Sequence, residues 1–423
     1  MANINYIASA GTGKTYSLVS QVLDKIRKED VSLRQILILT FTEKAAAELK
    51  EKISERIKEA LKDPNVSKKE KIKLHRQLLF IDSGYIGTFH SVFFRFLKKY
   101  PHVSGIDKSF SVLSSQLDYI LGLFFEKWIE KDFEENPKDW EKIITFFTDN
   151  EKKLKKIFLQ LYKERLKLKK PDINFNNQEK SIKELANQLK GLIDEFFNKY
   201  SYLFPQAEKF WEINLNAVLH KLNSEDLQNL PSIKPEKAKI FKKPKKLTEE
   251  EKIFYKKNIK PLSKDKEFLN FQENIINTLY KLKIRLLDYN ANLLLNKIWQ
   301  FISFVENIKK EEKIIDFDDI LEKTLEMIKS KPSIKEQIKN SFKYIFIDEF
   351  QDTDNIQTQI IKEISNNNIY LFGDPKQCIY TWRNADLNVY FDFLNENTFS
   401  NEVIDTNYRS EPELVEFFNK MLS

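Results

Sequence analysis

Residues 3–18, NINYIASAGTGKTYSL, place two of the chain's eight glycines within three positions, directly behind a short apolar run. Residues 4–8 read as a buried strand, and residues 15–28 carry Leu18, Val19, Val22, Leu23 and Ile26 at helical spacing. A loop joining such a strand to such a helix turns backbone N–H groups inward with a helix N-terminus behind them, which makes an anion site. Glycine lets the backbone come close to phosphate oxygens. In the pattern Gly-x-x-x-x-Gly-Lys-Thr, the lysine reaches the outer phosphates of a nucleotide and the threonine hydroxyl faces Mg²⁺. Ala10, Gly11, Thr12, Gly13, Lys14 and Thr15 are therefore the expected ATP cradle, with Thr15 on Mg²⁺. Ala8 stands at the first glycine position, where alanine is tolerated only if φ stays negative. The competing reading is an ordinary strand–turn–helix corner.

Outward from this loop, 423 residues suffice for two or three domains, and 41% hydrophobic content is that of a globular chain. No apolar stretch approaches the length of a membrane span, and too few residues precede the first strand for a signal peptide. One cysteine, Cys378, excludes a disulfide framework and a cysteine-based zinc site. A cytoplasmic protein without membrane contact is expected. The net charge of +7 suits a polyanionic partner, although a lysine-, asparagine- and isoleucine-rich composition of this kind also follows from AT-rich coding.

The outer thirds read as α/β. Near-continuous apolar runs at residues 36–41, 85–89, 344–347, 369–372 and 403–404 alternate with helical segments, as in a parallel sheet covered on both faces. From about residue 105 to 313 the chain becomes rich in Lys, Glu, Leu and Phe, with helical periodicity and scarcely any glycine. Inside that block, residues 231–252, PSIKPEKAKIFKKPKKLTEEEK, read as a solvated linker or loop, with a phosphate-backbone patch as the functional alternative. The arrangement is one α/β domain (1–104 and 314–423) interrupted by an all-helical insertion (105–313).

Five further segments end apolar runs with polar chemistry. In LILTFTEKAAAELKEKI (37–53), Thr42 and Lys44 follow a strand's carboxyl end, where ligands of open parallel sheets bind and where hydroxyls and helix amides grip a phosphodiester. IGTFHSVFFRFLKKYP (86–101) repeats the scheme with Thr88 and His90; a lone histidine is more often a satisfied structural residue, so the neighbouring hydroxyl is what favours DNA contact. KYIFIDEFQDTD (343–354) ends a strand in Asp348, suited to Mg²⁺, and Glu349, suited to orienting and deprotonating an attacking water. IYLFGDPKQCIYTWRNAD (369–386) offers Gln377 to sense a γ-phosphate, and Tyr380, Trp382 and Arg383 to stack on unpaired bases and touch their backbone. VIDTNYRSEPELVEFF (403–418) adds Tyr408, able to stack on adenine, and Arg409, able to stabilise transition-state charge.

In this order, the segments resemble the motifs of superfamily 1 DNA helicases of the UvrD/Rep/RecB group. TFTEKAAAEL, GTFHS, DEFQDTD, GDPKQCIYTWRNAD and DTNYRS carry the likeness, as does the acidic DFDDIL at 316–321. ASAGTGKT with its alanine, GDPKQ followed by AD, and DTNYRS are more similar to the RecB/AddA helicase–nuclease branch. Asn384 departs from the glycine usual after the arginine. The resemblance implies a RecA-like P-loop ATPase domain with a helical subdomain inserted between GTFHS and DEFQDTD. It implies an ATP- and Mg²⁺-dependent translocase moving 3′ to 5′ on single-stranded DNA or on a duplex with a single-stranded tail, in recombination and repair. Lys14, Glu349, Gln377 and Arg409 would then be catalytic, and Thr42, Lys44, Thr88, His90, Tyr380, Trp382 and Arg383 would line the DNA track. The chain ends fourteen residues after Arg409. It is therefore expected to be the N-terminal half of a longer motor, lacking the second RecA-like domain, with a possible partner in a helicase–nuclease complex and low activity alone. The alternatives are a UvrD-type repair helicase without nuclease and a stand-alone ATP- and DNA-binding scaffold.

Overall fold

The computed structural model describes residues 3–8, 11–113, 116–147, 150–204, 206–224, 227–235, 237–378, 387–406 and 410–422. In chain order, the first α/β portion comprises β1 (Asn3–Ala8), α1 (Lys14–Lys28), β2 (Ile36–Thr40), α2 (Glu43–Lys62), α3 (Lys68–Leu78), β3 (Tyr85–Thr88), α4 (Phe89–Lys99), the single turn α5 (Pro101–Ser104) and β4 (Ser111–Val112). Helices α6 (Leu117–Glu135), α7 (Pro137–Phe146), α8 (Glu151–Lys163), α9 (Phe175–Lys199), α10 (Leu215–Asn223), α11 (Glu249–Phe254) and α12 (Lys266–Glu311) follow. The chain then returns through β5 (Ile314–Ile315), α13 (Phe317–Ser330), α14 (Pro332–Ser341), β6 (Tyr344–Asp348), α15 (Asn355–Ile364), β7 (Ile369–Gly373), α16 (Leu387–Glu396), β8 (Phe399–Ile404) and α17 (Pro412–Leu422). Two compact units result, Met1–Ser115 with Lys310–Ser423, and Gln116–Lys309. The short parallel ladder of β4 with β5 ties the chain on either side of the helical unit into the α/β unit.

Six parallel strands form the sheet of the α/β unit in the order β3-β2-β6-β7-β1-β8. Parallel strands are joined by helices that cover both faces, so side chains pointing either way are buried and the sequence runs apolar without alternation. The two cores show this directly. Leu37, Leu39, Ile345, Ile347, Ile369 and Leu371 face one side, against Phe93, Ile320 and Ile361. Ile36, Ile38, Tyr344, Phe346, Tyr370 and Phe372 face the other, against Leu18, Val22 and Ile53. Each fully buried aliphatic or aromatic side chain contributes roughly 1.5–3 kcal/mol. Strand β8 is the exception. Among the described residues it pairs with β1 alone, and it begins at Phe399 rather than near Val403 and leaves Val403 70% exposed.

The helical unit is built around an aromatic core. Phe125, Trp128, Trp140, Phe158 and Phe301 meet at centroid separations between 5.2 and 6.2 Å, from α6, α7, α8 and the long α12. Residues 231–252 are not the free linker that their composition suggests. Ile240 is wholly buried and Phe241 nearly so. The Glu212 N–H donates to the Ile240 carbonyl (2.9 Å), the Lys242 N–H donates to that of Phe210 (2.8 Å), and Thr248 opens α11 with a reciprocal capping box. Two apolar residues suffice to pin the segment, while its lysines stay solvated.

Candidate functional site

The site lies at the carboxyl ends of β1, β6 and β7, which are neighbours in the sheet. Gly11 (φ 84°) and Gly13 (φ 82°) both occupy the left-handed region, where other residues are strained, so the loop needs glycine at these two positions. Gly13 is the N-cap of α1, and no side chain caps the helix there. With no acidic residue in the first turn, the opening amides of α1 and its dipole are free to meet an anion. Lys14 and Thr15 are partly exposed in that first turn. Ala10 lies outside the described residues.

Strand β6 carries Asp348 into a nearly buried position (6% exposed). Burial, and then the neighbouring Glu349 charge, raise its pKa to about 6, against Lys14 and the Glu349 N–H, which favour the charged form. A buried carboxyl whose charge is disfavoured is suited to a cation, and Thr15, in the first turn of α1, adds a hydroxyl of the kind that ligates one. These residues fit Mg²⁺ held largely by water and phosphate. Glu349 turns the chain in the left-handed region (φ 52°), a costly conformation for a non-glycine residue and one that concentrates at functional sites. Its Oε2 accepts from Lys14 Nζ at 2.8 Å and from Gln351 Nε2 at 2.8 Å. Lys14 Nζ also lies 3.5 Å from Gln377 Oε1. Gln377 Nε2 donates to Asp374 Oδ2 (2.6 Å), and Asp374 Oδ1 accepts from the Lys376 N–H (3.0 Å), which shapes the turn after β7. Lys14, Glu349, Gln377 and Asp348 therefore come together from segments far apart in sequence.

The other sequence-selected residues sit at neighbouring strand ends. Thr42 caps α2, its Oγ1 accepting from the Ala45 N–H (3.1 Å), and Lys44 is exposed beside it. Thr88 caps α4 through the Ser91 N–H (3.2 Å) and donates to Glu43 Oε1 (2.7 Å). His90 packs at a tilt against Phe317 (centroids 4.8 Å, planes 56° apart), and burial pushes its pKa down to about 4, so the imidazole is neutral at pH 7. Tyr380, Trp382, Arg383, Tyr408 and Arg409 lie outside the described residues.

Two residues given no role from sequence belong to this cluster. Gln351, 2% exposed, joins Glu349 to the Asp374 backbone. Asp352 is also nearly buried, and burial with the Glu349 charge pushes its pKa up to about 6. Both stood inside DEFQDTD, but only the adjacency of β6 and β7 shows what they touch. The threonine caps had a signal in the sequence, a hydroxyl residue opening an apolar helical run.

Residues 2–398 match the model of the UvrD/REP helicase N-terminal domain. The chain is 27% identical over 477 aligned positions to an ATP-dependent helicase/nuclease subunit of Streptococcus pneumoniae strain CGSP14, covering 99% of the chain and 37% of that relative. It is 27% identical to the protein of the same name from Ligilactobacillus salivarius, covering 100% of the chain and 37% of the relative. It is 26% identical to the exonuclease/helicase subunit RexA of Streptococcus pneumoniae serotype 4, with 99% and 37% covered. The chain thus spans little more than a third of the length of these relatives. Because the family model runs through every described strand end that builds the cluster around Lys14, the chain belongs to the UvrD/REP helicase family and corresponds to its N-terminal domain.

Proposed function

We propose that this chain is the nucleotide-hydrolysing motor portion of an ATP-dependent DNA helicase, part of a RecB/AddA-like helicase–nuclease that moves 3′ to 5′ on single-stranded DNA in recombination and double-strand break repair. The observation that carries the reading is the convergence of Glu349 and Gln377 on the Lys14 ammonium, at 2.8 and 3.5 Å, beside an uncapped helix N-terminus. The α1 amides and Lys14 would bind the phosphates, and Thr15 and Asp348 would hold Mg²⁺. When bound, that ion supplies charge that neutralises the phosphate oxygens. Glu349 would accept a proton from the attacking water and Gln377 would report the outer phosphate to the DNA-facing residues. Arg409 would add transition-state charge and Tyr408 an adenine stack.

Thr42, Lys44, Thr88 and His90 lie at or just after the carboxyl ends of β2 and β3, in the same parallel sheet whose β1, β6 and β7 ends carry the nucleotide cluster, which supports a DNA track there with Tyr380, Trp382 and Arg383. The relatives are named as subunits, which supports a partner chain in a helicase–nuclease complex. Among the described residues no helix is long and apolar enough to cross a membrane, in keeping with the proposed cytoplasmic setting. The test is a titration of fluorescently labelled single-stranded DNA with and without Mg²⁺ and a non-hydrolysable ATP analogue. Nucleotide should shift DNA affinity, and Lys14→Ala should abolish the shift. A shift that survives Lys14→Ala sinks the reading.

A further inference from the structure

A closed ring of polar contacts passes through Lys14, and two members, Gln351 and Asp374, stand outside the residues assigned to nucleotide. Gln351 Nε2 donates to Glu349 Oε2 (2.8 Å), while its Oε1 accepts the Asp374 N–H (3.0 Å). From Asp374 the ring runs through Gln377 Nε2 (2.6 Å) and Gln377 Oε1 back to Lys14 Nζ (3.5 Å), which closes on Glu349 at 2.8 Å. The Gln351 carboxamide thus spans the ends of two adjacent strands, with its donor on the acid of β6 and its acceptor on the turn of β7. Gln351 is 2% exposed, so its own amide is held away from water, where a carboxamide left half-satisfied is costly.

A second observation concerns the space this side chain needs. A Cβ at Gly373 would lie 2.6 Å from Gln351 Oε1, closer than real contacts allow. Gly373 is not in the left-handed region, so glycine is required there to admit the Gln351 amide and not to permit an unusual backbone. Its other two neighbours would sit at 3.4 and 3.5 Å, ordinary contact distances.

We propose that Gln351 is a positioning residue that fixes the Glu349 carboxylate toward the phosphate loop and registers it to the Asp374–Gln377 turn, with Gly373 leaving the space for it. The proposal rests on the reading of Glu349 as the group that activates water. Glu349 is held in a strained backbone conformation and its carboxylate is reachable by Lys14, so a second, buried tether is what selects one orientation of the acid.

The experiment is single-turnover ATP hydrolysis and nucleotide binding in the natural polypeptide that carries this chain, for wild type, Lys14→Ala, Gln351→Ala, Gln351→Met, Gly373→Ala and the double variant Gln351→Ala/Gly373→Ala. Losing one hydrogen bond to a charged catalytic group predicts that Gln351→Ala lowers the hydrolysis rate about 10- to 100-fold. ATP affinity should stay within about twofold, since Lys14 and the loop amides are untouched. Gly373→Ala should reproduce this loss although Gln351 is intact, and the double variant should be no slower than Gln351→Ala alone. Gln351→Met, unbranched and of similar length, guards against a collapsed side chain and should behave like Gln351→Ala. Additive losses in the double variant, or losses confined to thermal stability and ATP affinity, would mark Gln351 as merely structural and overturn the proposal. Should wild type show no Lys14-dependent binding, the nucleotide reading itself fails and the proposal with it. If Lys14-dependent binding and turnover are present but Gln351→Ala and Gly373→Ala turn over normally, only the positioning role is lost.

Discussion

Lys297 and Lys14 each hold a carboxylate at 2.8 Å, and their surroundings give them opposite tasks. Lys297, 1% exposed, pairs with Asp132 in the helical unit. Asp132 is completed by the Trp140 indole N–H (2.8 Å) and the Asn136 amide (3.0 Å), and Asp139 lies 3.6 Å from the same ammonium. Lys14, 10% exposed, pairs with Glu349, itself 37% exposed, beside a helix end with no cap. The first pair is buried, and every partner its charges meet is protein: Asp139 for the ammonium, Trp140 and Asn136 for the carboxylate. The second faces a loop whose opening amides no side chain caps, and its acid is shared with a glutamine. Chemically similar pairs therefore differ in whether a ligand can compete for the lysine. A buried pair is expensive to break because the survivor cannot be hydrated, whereas a part-exposed one is cheap to open.

The comparison is broken most directly by Lys297→Met. It strands the Asp132 carboxylate in the core and should cost about 3–5 kcal/mol, measured by chemical denaturation followed through tryptophan fluorescence. A cost below about 1 kcal/mol would mean that the aromatic core, not the ion pair, governs this region. Lys14→Met should show the reverse, with nucleotide affinity falling more than about tenfold while stability changes by less than about 1 kcal/mol. Calorimetric titration and a thermal melt on the same sample separate the two effects. Equal destabilisation by the two substitutions would erase the distinction.

Asp348 sharpens the contrast, because the nucleotide site should lower stability where the helical pair raises it. Its folded pKa, about 6, lies above the ordinary 3.8, so the folded state binds the proton more tightly than the unfolded one. The favourable contribution is complete below about pH 4 and is lost as pH rises through 6. Asp348→Asn should therefore be more stable than wild type at pH 7.5, by about 2–3 kcal/mol, with the gap closing toward pH 4. A constant gap would show that packing, not ionisation, is responsible. His90 works in the opposite sense. Its folded pKa, about 4, lies below the ordinary 6.5, so stability is present above 6.5 and is lost as pH falls toward 4. His90→Asn should remove about 1 kcal/mol of that acid-side loss at pH 5, allowing for the solvent-facing rim of the ring, as read from melts at pH 7 and pH 5.

How far the residues announced their roles depended on the distance over which a signal acts. Glycine at 11 and 13, the lysine after them, and the apolar run ending in Asp348 and Glu349 are local signals, and the loop and strand end formed where they stood. The apolar pair Val403–Ile404 marked only the end of a longer strand, since Phe399 to Glu402 alternate too little to advertise an exposed edge. The lysine-rich run at 231–252 concealed Ile240 and Phe241, because average composition says nothing about two residues that find a hydrophobic pocket. Thr42 and Thr88, selected for phosphate contact, also cap helices, a use of the hydroxyl that their position before an apolar helical run already implied.

By itself the sequence determined the class of fold, the glycine loop opening α1, the acidic strand end and the helical character of the middle, because each follows from patterning within a few turns or strands. Only the tertiary structure decided that β6 and β7 are neighbours, that Gln351 therefore reaches both Glu349 and the Asp374 turn, and that Lys297 is buried against Asp132. Those contacts join residues whose separation along the chain carries no periodic signal. They exist because sheet order and helix packing bring the side chains within hydrogen-bond reach, a distance that no local pattern encodes.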